Sequence, residues 1–267
     1  MWLNYAISNN SFQDGVDTSS SGGVTVTTGS ANTKGSYTQI ISSTERETNL
    51  AIISITSSTV NRTILADIAI GAASSEVVII PNLRYSSRNI LQKYVIPINI
   101  PKGVRVSARA QDLVGSIEAY ISVHLVSFSN SGSSGFSHCD HLGVNTSDSG
   151  ATQIDAGGTA YTYGSYAEII SSTARDYKAI LPVITGADTA QTVDRFRVNV
   201  AIGASSSEQI IMPDLWAKTH NSEIEPSRFP YPAFCNIPAG TRLSANCMST
   251  NNASGNRELD ISLLVFS

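Results

Sequence analysis

Four consecutive residues, His138, Cys139, Asp140 and His141, are of the types that hold transition metals. Successive side chains of an extended chain point to opposite sides, so His138 and Asp140 can share one ligand and Cys139 cannot readily join them. A closed zinc site also wants a fourth ligand and wider spacing, so the sequence assigns no metal and no cofactor. Asp17, Ser19, Ser21 and Gly22, and again Asn145, Ser147, Ser149 and Gly150, are spaced like the start of a calcium loop. Neither run supplies the bidentate Glu at the twelfth position, and a Ser/Gly turn accounts for both. Glu76 and Glu208 recur in matching contexts, as do Arg105 and Arg242. They form either a repeated site or structural pairs on a solvated strand face. Nucleophile elbows, phosphate loops and dinucleotide fingerprints do not occur in the sequence, and no catalytic residue is assigned. A glycan-active enzyme stays open as an alternative, because two carboxylates at the right separation suffice for it.

The strongest candidate for binding is 214–234, DLWAKTHNSEIEPSRFPYPAF, read as a loop. Its candidate ligand-binding residues are Trp216, His220, Arg228, Phe229 and Tyr231. Exposed aromatics stack on sugar rings and make hot spots in protein interfaces. The competing reading is that these rings cover one end of the fold.

The elements that position these residues follow from an internal duplication. GSYTQIISSTER at 35–46 returns as GSYAEIISSTAR at 164–175, IAIGAASSE at 68–76 as VAIGASSSE at 200–208, and NIPKGVRVSA at 99–108 as NIPAGTRLSA at 236–245. The offset grows from 129 to 132 to 137 residues, so the order is kept and short insertions separate the blocks. A period this long marks a duplicated sandwich-sized unit, not a solenoid repeat. The predicted layout is an N-terminal arm at 1–10, repeat 1 at 11–129, a Ser/Gly linker at 130–135 and repeat 2 at 136–267. Within repeat 2, RFRVNVAI at 195–202 alternates, with Phe196, Val198, Val200 and Ile202 on one face and Arg195, Arg197 and Asn199 mainly on the other. Period-two patterns of this kind predict strands in repeat 1 at 23–28, 37–43, 48–57, 62–71, 76–81, 92–100, 104–111 and 117–128. The fold class is all-β: two tandem antiparallel β-sandwiches, jelly-roll-like by strand count.

Bulk composition agrees. The chain is 41% hydrophobic and only 14% charged, with a mean hydropathy of 0.00. A net charge of −4 argues against a nucleic-acid partner, and the lack of a long apolar run argues against membrane insertion. Three cysteines make no disulfide scaffold. Cys235 and Cys247 align with apolar Ile98 and Ala110 and read as small buried hydrophobes. The N-terminus does not read as a secretion signal, which predicts folding in a reducing cytoplasm.

GSYTQIISST, DIAIGAASSEVVIIPNL and INIPKGVRVSARAQ together resemble modules of tailed-bacteriophage virion proteins of tail, fibre and capsid-decoration type. The resemblance implies a non-enzymatic accessory protein of the virion, assembled in the host cytoplasm. Its partners would be other capsid or tail proteins and a host surface glycan, and homo-oligomers are compatible with it. The alternative of a different class is a soluble lectin-like carbohydrate-binding module.

Overall fold

The computed structural model describes residues 11–15, 23–57, 62–86, 92–127, 135–186, 194–220, 223–226, 232–250 and 258–267. The arm at 1–10 lies outside the described residues, as does the linker apart from Gly135. Every regular element among the described residues is a strand. In repeat 1 these are β1 (Ser11–Gly15), β2 (Val24–Thr27), β3 (Thr38–Ile41), β4 (Leu50–Ser57), β5 (Thr63–Ile70), β6 (Val77–Ser86), β7 (Gln92–Ile96), β8 (Val106–Asp112) and β9 (Glu118–Ser127). Repeat 2 holds β10 (Cys139–Leu142), β11 (Val144–Asn145), β12 (Gly150–Asp155), β13 (Ala167–Ile170), β14 (Tyr177–Gly186), β15 (Asp194–Ile202), β16 (Gln209–His220), β17 (Glu223–Pro226), β18 (Ala233–Ile237), β19 (Leu243–Ser249) and β20 (Glu258–Phe266).

Strand order resolves the topology. In repeat 1, one sheet runs β2-β9-β4-β7 and the facing sheet β3-β8-β5-β6. Repeat 2 gives β12-β20-β14-β18 against β13-β19-β15-β16. Labelled B to I in chain order, each repeat has sheets B-I-D-G and C-H-E-F, which is the jelly roll. All the paired strands are antiparallel. In each repeat strand B is broken in two. β1 and β2 pair successive stretches of β9, and β10 and β12 pair successive stretches of β20. In repeat 2 the Ser-rich entry loop lies at this break.

The duplicated motifs are structural. In the ISST block, Thr44 is buried; its Oγ1 donates to Pro101 O at 2.6 Å and accepts from Val104 N at 3.0 Å. Thr173 does the same with Pro238 O at 2.8 Å and Thr241 N at 3.0 Å. The threonine thus pins the Pro-x-Gly turn of the NIPKG and NIPAG blocks. Thr173→Val, which keeps the shape and removes the hydroxyl, is expected to cost about 1–3 kcal/mol by leaving two turn groups unsatisfied, read as a lowered urea midpoint. The glycine of GSY is fixed by close approach. A Cβ at Gly164 would sit 2.0 Å from Asp155 O, and one at Gly35 would sit 2.3 Å from Thr27 O.

Strand β6 runs to Ser86, five residues beyond the predicted end at 81. Pro81 is tolerated inside it because β6 is the edge of its sheet. A bulge follows, with Asn82 at φ 51° and a register shift between Ala66 and Ile68. Asp214 repeats it at φ 52°, with shifts at Val198 and Val200.

Each sandwich has an apolar core, but the first does not stop at repeat 1. Ala179, Leu181 and Val183 of β14, Leu264 and Phe266 of β20, and Cys139 belong to the cluster of Ile53, Ile96 and Ile98. The outer face of repeat 2's B-I-D-G sheet therefore seals the flank of repeat 1. The second core holds Phe196, Val198, Val200 and Cys247. Cys247 and Cys139 are buried and Cys235 is half-buried against this core, all three as free thiols. Burial raises the Cys139 and Cys235 thiols above their ordinary pKa.

Candidate functional site

The chemistry-bearing residues of the sequence fall into two groups, those used to join the repeats and those left open. The join is polar at its centre. Arg84, on the outer face of β6, is buried and its Nη2 meets Asp260 Oδ2 of β20 at 2.5 Å. The Tyr94 hydroxyl donates to Arg84 O. Beside this pair His141 Nδ1 is 2.7 Å from Asn82 O, and its Nε2 is 2.8 Å from Ser262 Oγ. A carbonyl can only accept, so the proton sits on Nδ1 and Nε2 accepts from the serine. Burial, with Arg84 and Lys34 nearby, pushes the His141 pKa down to about 3. Gln111 Nε2 donates to Thr146 O and Ser149 Oγ at 2.8 and 3.1 Å, and Ser149 Oγ donates to Asn32 Oδ1 at 2.8 Å.

These contacts account for two of the sequence candidates. In the HCDH run, Cys139 enters the core and His141 docks on repeat 1. On the other side of the strand, Asp140 takes the Tyr177 hydroxyl at 2.7 Å, with Arg175 Nε at 3.3 Å and His138 Nε2 at 3.4 Å. The alternation is as expected, and its use is to latch two sandwiches. Asn145 Oδ1 accepts from Ser147 N and Oγ, and Gly150 N bonds Asp148 Oδ1, which makes a self-bonded Asx-type turn. The equivalent run at 17–22 lies outside the described residues. The matched acids and bases pair with each other. Glu76 Oε1 is 2.8 Å from Arg105 Nη1, and Glu208 Oε1 is 3.1 Å from Arg242 Nη1, which also holds Gly203 O. The hydrogen bond from Arg105 holds the Glu76 carboxyl below its ordinary pKa.

The open group becomes visible when the two repeats are superposed on their shared motifs. Arg84, Asn82, Asn32 and Gln111, through which repeat 1 grips repeat 2, correspond to Trp216, Asp214, Tyr161 and Met248 of repeat 2. Arg84 is 1% exposed, whereas Trp216 is 49% exposed and Tyr161 70%. Leu65 and Ser86, both buried, correspond to Arg197 and exposed Lys218. The socket of repeat 1 has thus been rebuilt in repeat 2 as an open aromatic and basic face.

That face is ordered by its own contacts. Arg197 lies opposite Trp216 on neighbouring strands, and its guanidinium covers one indole face at 4.6 Å from the centroid. Arg197 Nη1 is 3.8 Å from Asp214 Oδ1, and the Tyr163 hydroxyl donates to the same oxygen at 2.6 Å. Desolvation, then Asp214, pushes the Tyr163 phenol up to about 12, so it stays a donor. Asp214 N donates to Asn199 Oδ1 at 3.0 Å, and Asn199 Nδ2 to Asn246 Oδ1 at 3.2 Å. In repeat 1 the equivalent of Asn199 is buried Asp67, which takes Lys34, Asn82 N and Arg109. Next to Tyr163 is a cavity of about 550 Å³ lined by Gln153, Asp155, Thr162, Tyr163, Ser165 and Tyr166, among others.

Of the predicted binding residues, Trp216 is therefore at this face, on strand β16 and not on a loop as expected. The segment that looked like an extended loop continues β16 and turns back as β17. His220 ends β16, in register with Glu223. Arg228, Phe229 and Tyr231 lie outside the described residues. Sequence reasoning missed Tyr161, Tyr163 and Asp214. The signal was available as aromatic or charged replacements at matched positions, but it means little until the repeat 1 positions are known to be contacts.

No protein-family model matches the chain, and a comparison with curated proteins finds no match. Among solved structures the chain is similar to PNGase F, a glycosylasparaginase from Flavobacterium meningosepticum, at 10% identity and a TM-score of 0.35, over 97% of this chain and 96% of that one. It is likewise similar to the cowpea mosaic virus top component, the naturally occurring empty particle, at 10% identity and a TM-score of 0.33, over 91% and 92%.

Proposed function

We propose that this chain is a non-enzymatic accessory protein of a bacteriophage virion, carried on capsid or tail, that acts by binding surfaces through repeat 2. The observation that carries the reading is the conversion of a buried socket in repeat 1 into an exposed face in repeat 2. A face that had merely lost its partner would be expected to become uniformly polar. This one gains Trp216, Tyr161, Tyr163 and Arg197, the residue types that dominate binding energy in interfaces. Many copies on one particle would raise weak contacts to useful avidity. Most of the well-enclosed carboxylates are occupied with framework cations, Asp67 with Lys34 and Arg109, Glu76 with Arg105, Glu208 with Arg242 and Asp260 with Arg84, while fully buried Asp112 lies 3.9 Å from Arg62 Nε, which favours binding over hydrolysis.

Mass spectrometry of purified particles is expected to find the chain in the particle fraction, and its confinement to the soluble fraction would instead favour a free lectin. Labelled protein is expected to bind host cells, and Trp216→Ala to weaken that binding at least tenfold (about 1.4 kcal/mol). Capsule polysaccharide incubated with the chain should keep its size distribution. Its depolymerisation would replace the proposal with an enzyme.

A further inference from the structure

We infer that the cavity beside Tyr163 is a cleft for an uncharged glycan chain, formed by the loop that also carries exposed Tyr161. This inference rests on the surface-binding reading above and gives it a ligand class and a place. The volume of about 550 Å³ lies within the range of small-ligand clefts, roughly 300–1,000 Å³. Its walls suit sugars better than protein side chains. Two tyrosines, Tyr163 and Tyr166, belong to a lining that is mainly polar. Apart from Ala156 and Ala167, the remaining lining is amide, carboxylate, hydroxyl and glycine main chain, which match hydroxyls that both donate and accept.

Charge selects the uncharged class. Asp155 lines the cleft, its cross-strand neighbour is Glu258, and Asp214 lies behind Tyr163. Glu258 Oε2 accepts from Gln153 Nε2 at 2.8 Å, which fixes the amide at the rim. The lining itself holds no cation, Arg197 and Lys218 belonging to the adjoining face, so an acidic polymer would meet Asp155 without a counter-charge in the cleft.

The loop that forms the cleft carries a backbone outlier. Tyr161 sits at φ 64° and is 70% exposed. Repeat 1 holds the same left-handed conformation with Asn32 at φ 53°, a residue type that tolerates it well. There Asn32 touches repeat 2. In repeat 2 a tyrosine accepts the strained position and projects a large ring into solvent, which is an arrangement for recognition. The loop is also one residue longer, GGTAYTY at 157–163 against GSANTK at 29–34, and Thr27 of repeat 1 is replaced by Asp155.

Gly158 gives a direct test, because a Cβ added there meets nothing within 4 Å. Gly158 lines the cleft, so Gly158→Leu should put bulk where a ligand would sit and leave the fold intact, as a melting curve will verify. The labelled full chain is applied to a printed array of neutral and acidic glycans, followed by calorimetry of Gly158→Leu and Tyr161→Ala with the best hit. Neutral glycans are expected to bind, Gly158→Leu to abolish binding, and Tyr161→Ala to weaken it at least tenfold. Binding of acidic glycans alone, binding indifferent to both substitutions, or no bound glycan would each overturn the inference. In the last case host-cell binding that still depends on Trp216 leaves the surface-binding reading standing with a protein as its target. Loss of that dependence ends both.

Discussion

An Asp260→Ala chain is expected to be less stable than the natural one by about 3–5 kcal/mol, a large share of what an ordinary fold has to lose. Arg84 is 1% exposed at its side chain and Asp260 11%. With the carboxylate gone, the guanidinium is left charged between two sandwiches with water excluded. Among the described residues, Arg84 Nε and Nη1 already have no hydrogen-bond partner, so nothing nearby takes over. The expectation for Arg84→Leu with Asp260→Leu is different. Removing both charges removes the desolvation penalty with the attraction, and apolar neighbours such as Leu264 and Val183 are part of the same join. That double variant should recover most of the loss, and chemical denaturation of four chains, the natural one, Arg84→Leu, Asp260→Leu and the double variant, measures the coupling directly. If the single and double variants lose equally, the pair is not the centre of the join.

The second large effect is a loss of stability on acidification through His141. Its folded pKa is depressed to about 3, below an ordinary value near 6.5. The unfolded chain therefore binds the extra proton first. Above pH 6.5 both states hold a neutral ring and the group contributes no pH dependence. As pH falls from 6.5 toward 3, protonation of the unfolded state alone costs the fold about 1.4 kcal/mol per pH unit, up to about 2 kcal/mol at pH 5. Arg84 and Lys34 act in the same direction as burial by disfavouring an imidazolium, and the Asn82 and Pro81 carbonyls oppose them only in part. His141→Gln offers an amide that can donate to Asn82 O and accept from Ser262, without a proton to gain. Stability measured from pH 7 to pH 4 should fall more steeply for the natural chain than for this variant. Parallel curves would show that His141 does not stay neutral in the fold.

Much of the fold was legible because its determinants are local. Alternation located β5 and β15, Pro-x-Gly located the turns, and repetition located two sandwiches. The jelly-roll order needed pairing between distant strands, which a single sequence does not display. The functional face was only half legible. Trp216 stood out as an aromatic gained by one repeat, but it was placed on a loop, because the added residues after it obscured the continuing strand. The HCDH run suggested a metal because a one-dimensional reading cannot see Asn82, Ser262 and Tyr177 arriving from elsewhere to satisfy it. Arg84 and Asp260 carry no local sign of their pairing for the same reason. They are 176 residues apart in sequence, and only the packing of one repeat on the other buries them. That packing also gives the mismatches between the repeats their meaning, since it shows which positions of repeat 1 are contacts.

The account turns on whether the open face of repeat 2 is where a ligand sits, and Trp216 can report this itself. The chain has two tryptophans, so Trp2→Phe leaves Trp216 as the sole indole emitter. At 49% exposure it should be strongly quenched by acrylamide. Titration with polysaccharide from the host surface is predicted to shift its emission and shield it from the quencher, in step with binding followed by calorimetry. Calorimetric binding with emission and quenching unchanged would place the ligand elsewhere and contradict the account.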